Sequence, residues 1–158
     1  MTERELQFMK IAIDLSLQGM RENKGGPFGA IVVKDGVVIG KGNNRVSSTM
    51  DPTAHAEVVA IRDACKNLNS FQLNGCEIYT SCEPCPMCLG AIYWARPSRI
   101  YYANTREHAA AAGFDDSFIY EEVKAEISFR KIPMIQIGQE QALKVFEEWK
   151  NKPDKTEY

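Results

Sequence analysis

Apolar side chains recur every three to four positions across residues 3–22, at Leu6, Met9, Ile13, Leu17 and Met20. That period predicts a helix. The run Asn23-Lys24-Gly25-Gly26-Pro27 ends it, since glycine and proline punctuate regular structure. Residues 28–34 and 37–41 read as strands. Asp35-Gly36 joins them, and an Asp-Gly pair between apolar runs is a strong hairpin signal. Residues 43–53 form a polar loop that includes Asp51-Pro52. A helix is predicted over 54–68, with Ile61 and Leu68 turned inward. Residues 76–81 make a short strand, interrupted by Glu83-Pro84. Residues 86–95 are mostly apolar and predict a buried helix; Pro86 suits its first position, where a missing N–H costs nothing. A strand over 99–103, a helix over 105–112 and a loop at Gly113-Phe114-Asp115-Asp116-Ser117 follow. Residues 127–129 and 134–137 read as strand or extended chain, 139–150 as a last helix and 152–158 as a polar tail. There is no internal repeat and no linker. Strands alternating with helices point to a layered α/β domain.

Composition narrows the class. A chain of 158 residues suits one domain whose core needs no disulfides. No apolar run approaches a membrane span. Met1-Thr2-Glu3-Arg4-Glu5 is charged and lacks a secretory apolar region, so a cytoplasmic location is expected. The five cysteines are odd in number, and Cys82, Cys85 and Cys88 crowd into one short stretch. That crowding argues against a disulfide framework and for metal binding or catalysis. A net charge of −2 lacks the basic excess of nucleic-acid binders and favours a small, uncharged substrate.

The candidate chemistry lies in His55-Ala56-Glu57 and in Pro84-Cys85-Pro86-Met87-Cys88. A catalytic zinc ion takes three protein ligands and keeps one position for water. His55, Cys85 and Cys88 supply three. Cys85 and Cys88 are three residues apart, so the first turn of a helix puts both thiols on one side. A helix N-terminus also favours the thiolate. Two thiolates balance the ion's charge, and its water still ionises at a pKa of about 7. Glu57 follows His55 by two positions, which in a regular helix turns the side chains apart by about 200°. Both reach one metal only if His55 sits at the helix start, outside regular geometry. Glu57 would then carry a proton from the water to the substrate and the departing amine. Three alternatives stay open, the plainest being unlinked cysteines in a metal-free core. Cys82 as a fourth ligand would close the site and leave a structural-zinc interaction module without catalysis. The Cys-x-x-Cys pair is also a redox motif. Cys65 and Cys76 read as small buried apolar residues. His108 reads as solvated or as a helix cap.

Asp51-Pro52-Thr53-Ala54-His55-Ala56-Glu57, together with Thr80-Ser81-Cys82-Glu83-Pro84-Cys85-Pro86-Met87-Cys88, resembles the cytidine-deaminase-like superfamily. The pairing is the signature of zinc-dependent nucleobase deaminases. Gly90-Ala91-Ile92-Tyr93-Trp94-Ala95-Arg96-Pro97, the run from Gly113 to Tyr120 and the end Glu157-Tyr158 resemble its bacterial guanine-deaminase branch. The resemblance covers Gly25 to Tyr120 and the terminus. It implies a three-layer α/β/α sandwich around a five-stranded mixed sheet, formed by 1–158 as a single deaminase domain. It implies zinc-dependent hydrolysis of guanine to xanthine and ammonia, with one Zn2+ per subunit on His55, Cys85 and Cys88 and Glu57 as proton shuttle. Guanosine, cytosine and tRNA adenosine are the alternative substrates. Phe28 would stack on the purine; Asn44 and the backbone of Ala56 would hydrogen-bond it; Asp116 would contact its edge or assist proton movement; Trp94 would shape the pocket. Tyr158, on a tail 152–158 exchanged within a homodimer, would close the partner's site. Plainer roles are core packing for Phe28 and Trp94, turn chemistry for Asn44, and helix capping for Asp115, Asp116 or Ser117.

Overall fold

The computed structural model describes residues 2–158. It contains two compact units, one ending at Asp116 and one spanning Ser117–Tyr158.

The first unit starts with helix α1, Glu3–Arg21. Thr2 caps it: its hydroxyl accepts from the Glu5 amide at 3.2 Å, and the Glu5 carboxylate accepts from the Thr2 amide at 2.6 Å. This capping box satisfies two amides that the helix itself leaves unpaired. Strands β1 (Gly29–Lys34) and β2 (Val37–Asn43) form the expected hairpin. Asp35 and Gly36 both have positive φ, at 49° and 80°, as a two-residue hairpin turn of this kind requires. A short helix α2, Val46–Thr49, interrupts the loop expected over 43–53. Helix α3 (Ala56–Leu68), strand β3 (Glu77–Cys82), helix α4 (Pro86–Ala95), strand β4 (Arg99–Asn104) and helix α5 (Arg106–Ala111) complete the unit.

The sheet order is β2-β1-β3-β4. β1 is antiparallel to both neighbours, and β3 runs parallel to β4 across α4, so the sheet is mixed. Alternate side chains of each strand fill opposite faces. Ala30, Val32 and Ile78 pack with Ala56, Ala60, Ala64 and Ile92 of α3 and α4. Ile31, Val33 and Tyr79 pack with Ala12 of α1. Three layers result. α1 packs on the sheet through Phe8, Ala12, Leu15 and Ser16, whereas Leu6, Ile13, Leu17 and Met20 lie at the surface. Close approach is the reason: a Cβ on Gly29 would lie 2.2 Å from the Ala12 carbonyl oxygen, so only small residues fit between α1 and β1.

The second unit holds helix α6 (Ser117–Lys124), a single 3₁₀ turn at Ile127–Phe129 and helix α7 (Gln139–Asn151). α6 was not expected from the sequence pattern. The five-stranded sheet is corrected to four strands among the described residues. Residues 127–129 wind into a turn in which the Phe129 amide is bonded to the Glu126 carbonyl at 2.9 Å. Pro133, in the following stretch, has no N–H to offer a ladder. Residues 133–138 carry no regular structure.

Candidate metal centre and active site

Two helix starts and the end of one strand build the site. His55 is the N-cap of α3, with an extended backbone at φ −68° and ψ 156°. Cys85 is the N-cap of α4, at φ −63° and ψ 167°, and Pro86 follows at the first helical position. The extended N-cap conformation frees His55 from the helical period, so it and Glu57 serve one centre. Cys88 lies one turn into α4, beneath Cys85.

His55 Nδ1 lies 3.5 Å from Cys85 Sγ and 3.5 Å from Cys88 Sγ. All three ligand atoms fall within 4.8 Å of one another, and they form the only such group of acidic, His and Cys side chains among the described residues. Zinc bonds of about 2.3 Å to sulfur and about 2.05 Å to nitrogen, set at the tetrahedral angle, place S and N about 3.6 Å apart. Both N–S distances therefore match the edges of a zinc tetrahedron, and the donor chemistry suits zinc.

Cys82 does not join them. It is buried, its thiol points to the Thr105 carbonyl at 3.6 Å, and burial pushes that thiol up to about 11. The fourth corner is not filled by this cysteine. Cys85 is driven the other way, down to about 4, because the Cys88 thiol and then His55 hydrogen-bond its sulfur. Its partner Cys88 is raised, chiefly by giving that bond. His55 is raised by its bond to Cys85, against the effect of burial.

Glu57 is buried beside this trio. Oε1 accepts from the Thr80 hydroxyl at 3.2 Å, and Oε2 lies 3.4 Å from Cys88 Sγ. Burial raises its carboxyl above the usual range, with the negative Cys85 adding to it. A carboxyl group so placed takes up a proton more readily than a free glutamate and can pass it on.

Asn44 is buried, and its side-chain oxygen is already used. It accepts from the Gly26 and Val46 amides, each at 3.2 Å. What remains to meet a ligand is the amide NH2, a donor. Its oxygen also ties the 23–28 loop to the start of α2. Phe28 is half-buried and meets Phe114 edge to face, with ring centroids 4.9 Å apart. No periodicity marks Phe114, which follows the chain reversal at Gly113, where φ is 91°. The Ala56 amide belongs to the first turn of α3, where helices leave N–H groups for other acceptors. Asp116 is the last residue of the first unit. Burial and the negative Cys85 raise its carboxyl.

Trp94 is not brought to the trio. It sits in the last turn of α4, about 9 Å along the helix axis from Cys88, and lines an outer groove with Leu89, Gly90, Tyr93 and Arg96. Tyr158 lies in the second unit and is largely exposed. His108 is a cap: its Nδ1 accepts from the Thr105 amide at 3.1 Å.

Four likenesses bear on this arrangement. Residues 2–104 match the family model described as the cytidine and deoxycytidylate deaminase zinc-binding region. Over 151 residues the chain is 54% identical to the guanine deaminase of Bacillus subtilis (strain 168), covering 96% of this chain and 97% of that protein. The X-ray structure of guanine deaminase from Bacillus subtilis matches with a TM-score of 0.95 at 52% identity, over 100% of this chain and 99% of that one. The tRNA-specific adenosine deaminase of Aquifex aeolicus (strain VF5) is 41% identical over 96 residues, 61% of this chain and 63% of that protein.

Proposed function

The chain belongs to the cytidine and deoxycytidylate deaminase zinc-binding family, and from that premise we propose that it hydrolyses guanine to xanthine and ammonia. The observation that carries the chemistry is the three-ligand trio with a buried carboxylate 3.4 Å from Cys88 Sγ. The substrate rests on the near full-length likeness to guanine deaminase; the likeness to the tRNA enzyme stops at about three-fifths of the chain. The net charge of −2 also suits a free base better than a polyanion.

In this reading His55, Cys85 and Cys88 hold one Zn2+ per subunit. When bound, zinc supplies an acidified water as nucleophile near neutral pH. Glu57 would take one proton from the attacking water at Oε2 and give it to the ring nitrogen beside C2, and would then carry the second, from the hydroxyl formed at C2, to the leaving amine, which departs as ammonia. Phe28, with Phe114 against it, offers a ring to stack on the flat base. The Asn44 NH2 faces an acceptor on the purine rim, and the Ala56 amide supplies a second donor. Asp116 accepts from the N–H edge near the 2-amino group.

The remaining assignments concern the assembly. The whole of 1–158 acts as one deaminase domain in a cytoplasmic homodimer. Residues 152–158 are exchanged, so that Tyr158 and the exposed Trp94 shape a pocket completed by the partner. Large apolar side chains exposed throughout the second unit, among them Phe118, Ile135 and Phe146, support a covering subunit.

The test is metal content measured beside ammonia release from guanine, guanosine, cytosine and an adenosine-bearing tRNA stem-loop. One zinc per chain with guanine turned over fastest is expected. Faster release from any of the other three overturns the substrate.

A further inference from the structure

We propose that Thr80 is a positioning residue for the deamination, acting through its hydroxyl to fix which oxygen of Glu57 faces the reacting centre. Thr80 stands near the end of β3, paired with Ala30 on one side and Tyr102 on the other. It is fully buried, on the sheet face that Ile78 shares and that packs against α3 and α4. The core on that face, Ala30, Val32, Ala56, Ala60 and Ile92 among it, is apolar. Valine has the same shape and would suit that layer better, since a buried hydroxyl costs stability unless it is bonded. The Thr80 hydroxyl is bonded, and its acceptor is Glu57 Oε1 at 3.2 Å.

The two oxygens of Glu57 are thereby made unequal. Oε1 is held by the strand, and Oε2 is left toward Cys88. A β-branched threonine in a strand has few χ1 choices, so the anchor is stiff. Without it the hold on Oε1 is lost and only the contact of Oε2 with Cys88 Sγ constrains the carboxylate from the facing helix, so the proton it carries is aimed less narrowly. Such an error in aim costs rate, not substrate affinity. The adjacent Ser81 does different work on the other face, accepting from the Gly29 amide at 3.0 Å.

This inference rests on the proposed deaminase activity, and its test separates the two. Thr80→Val and Thr80→Ser are made in the zinc-loaded enzyme. Each is assayed for kcat and KM on guanine, for zinc per chain, and for Glu57 geometry in a crystal structure. For Thr80→Val, kcat is expected to fall about tenfold or more, the loss of one hydrogen bond to a charged group. KM should stay within about twofold, with zinc content kept and the Glu57 carboxylate rotated or split between two orientations. Thr80→Ser should restore both rate and geometry. An unmoved Glu57 in Thr80→Val, a fall in zinc content, or a serine variant as slow as the valine one overturns the inference. A wild-type protein inactive on guanine in which Thr80→Val still turns Glu57 sinks the substrate and leaves the anchor standing.

Discussion

In the proposed mechanism Glu57 and Asn44 divide the work of one site between proton transfer and recognition, and each gives a separable prediction. Glu57→Gln removes the ionisable group while keeping an oxygen for Thr80. Turnover should fall by about 10² to 10⁴, the usual contribution of a placed acid/base, with zinc per chain unchanged. A variant that lost its metal would place Glu57 among the structural supports. Asn44→Asp is the sharper change. Aspartate keeps an oxygen for the Gly26 and Val46 amides, so the loop should survive and the melting temperature should move by no more than about 2 °C. The NH2 donor becomes an acceptor, so kcat/KM for guanine should fall about 100-fold, as it does when a site's hydrogen bond is mismatched. Unchanged kcat/KM would leave Asn44 with turn chemistry alone. At this scale the ligand trio was legible in sequence, because His55 and Cys85 are helix N-caps and Cys88 follows one turn on. Thr80 and Phe114 were not. Their neighbours are set by strand register and by the reversal at Gly113, which no local pattern encodes.

Elements place these groups through close backbone contact. A Cβ on Gly42 of β2 would lie 2.2 Å from the Ala56 carbonyl oxygen and 2.6 Å from the Ala60 nitrogen. Gly42→Ala should therefore push the start of α3 away from the sheet and carry His55 and Glu57 with it. We expect a loss of stability of about 1–3 kcal/mol together with weakened zinc binding, read by thermal melting and by metal titration. Full zinc affinity would show that α3 tolerates the shift. The α1 cap adds a pH test. Glu5 is held below the usual carboxylate range by the Thr2 amide and then the Tyr101 hydroxyl, so folding favours its ionised form. That stabilisation is present above the ordinary glutamate range and is lost as the pH falls through the lowered value. Glu5→Gln, which removes the charge that the Thr2 amide and the Tyr101 hydroxyl hold, should lower the melting temperature at pH 7 and by less at pH 3; an equal drop at both would detach the Glu5 charge from the cap. The hairpin and α4 were legible because Asp35-Gly36 and Pro86 are local signals. The inner face of α1 was not, since Ala12, Ser16 and Gly19 are buried for being small and the large apolar residues misdirect. Ser117–Lys124 does carry Phe118, Ile119 and Val123 at helical spacing, but at 8 residues it is too short for that spacing to stand out from the loop before it.

On the scale of the whole molecule, the proposed exchange of 152–158 makes a claim that single-chain variants cannot test. Deleting Glu157 and Tyr158 should weaken activity while leaving the metal trio intact. That result alone would fit a tail folding onto its own chain equally well. Mixing separates the two. One protein carries Glu57→Gln with an intact tail, the other carries Glu57 without Glu157 and Tyr158, and the residual activity of each alone is subtracted from that of the mixture. If subunits exchange tails, a mixed dimer holds one complete site, built from the truncated chain's Glu57 and its partner's Tyr158. Random pairing makes half of the dimers mixed, each with one of two sites restored, so refolding an equal mixture should recover about a quarter of wild-type activity. Light scattering on the same samples should give a particle of two 17.8 kDa chains. A mixture as inactive as its parts, in particles of that size, would mean that each tail serves its own subunit.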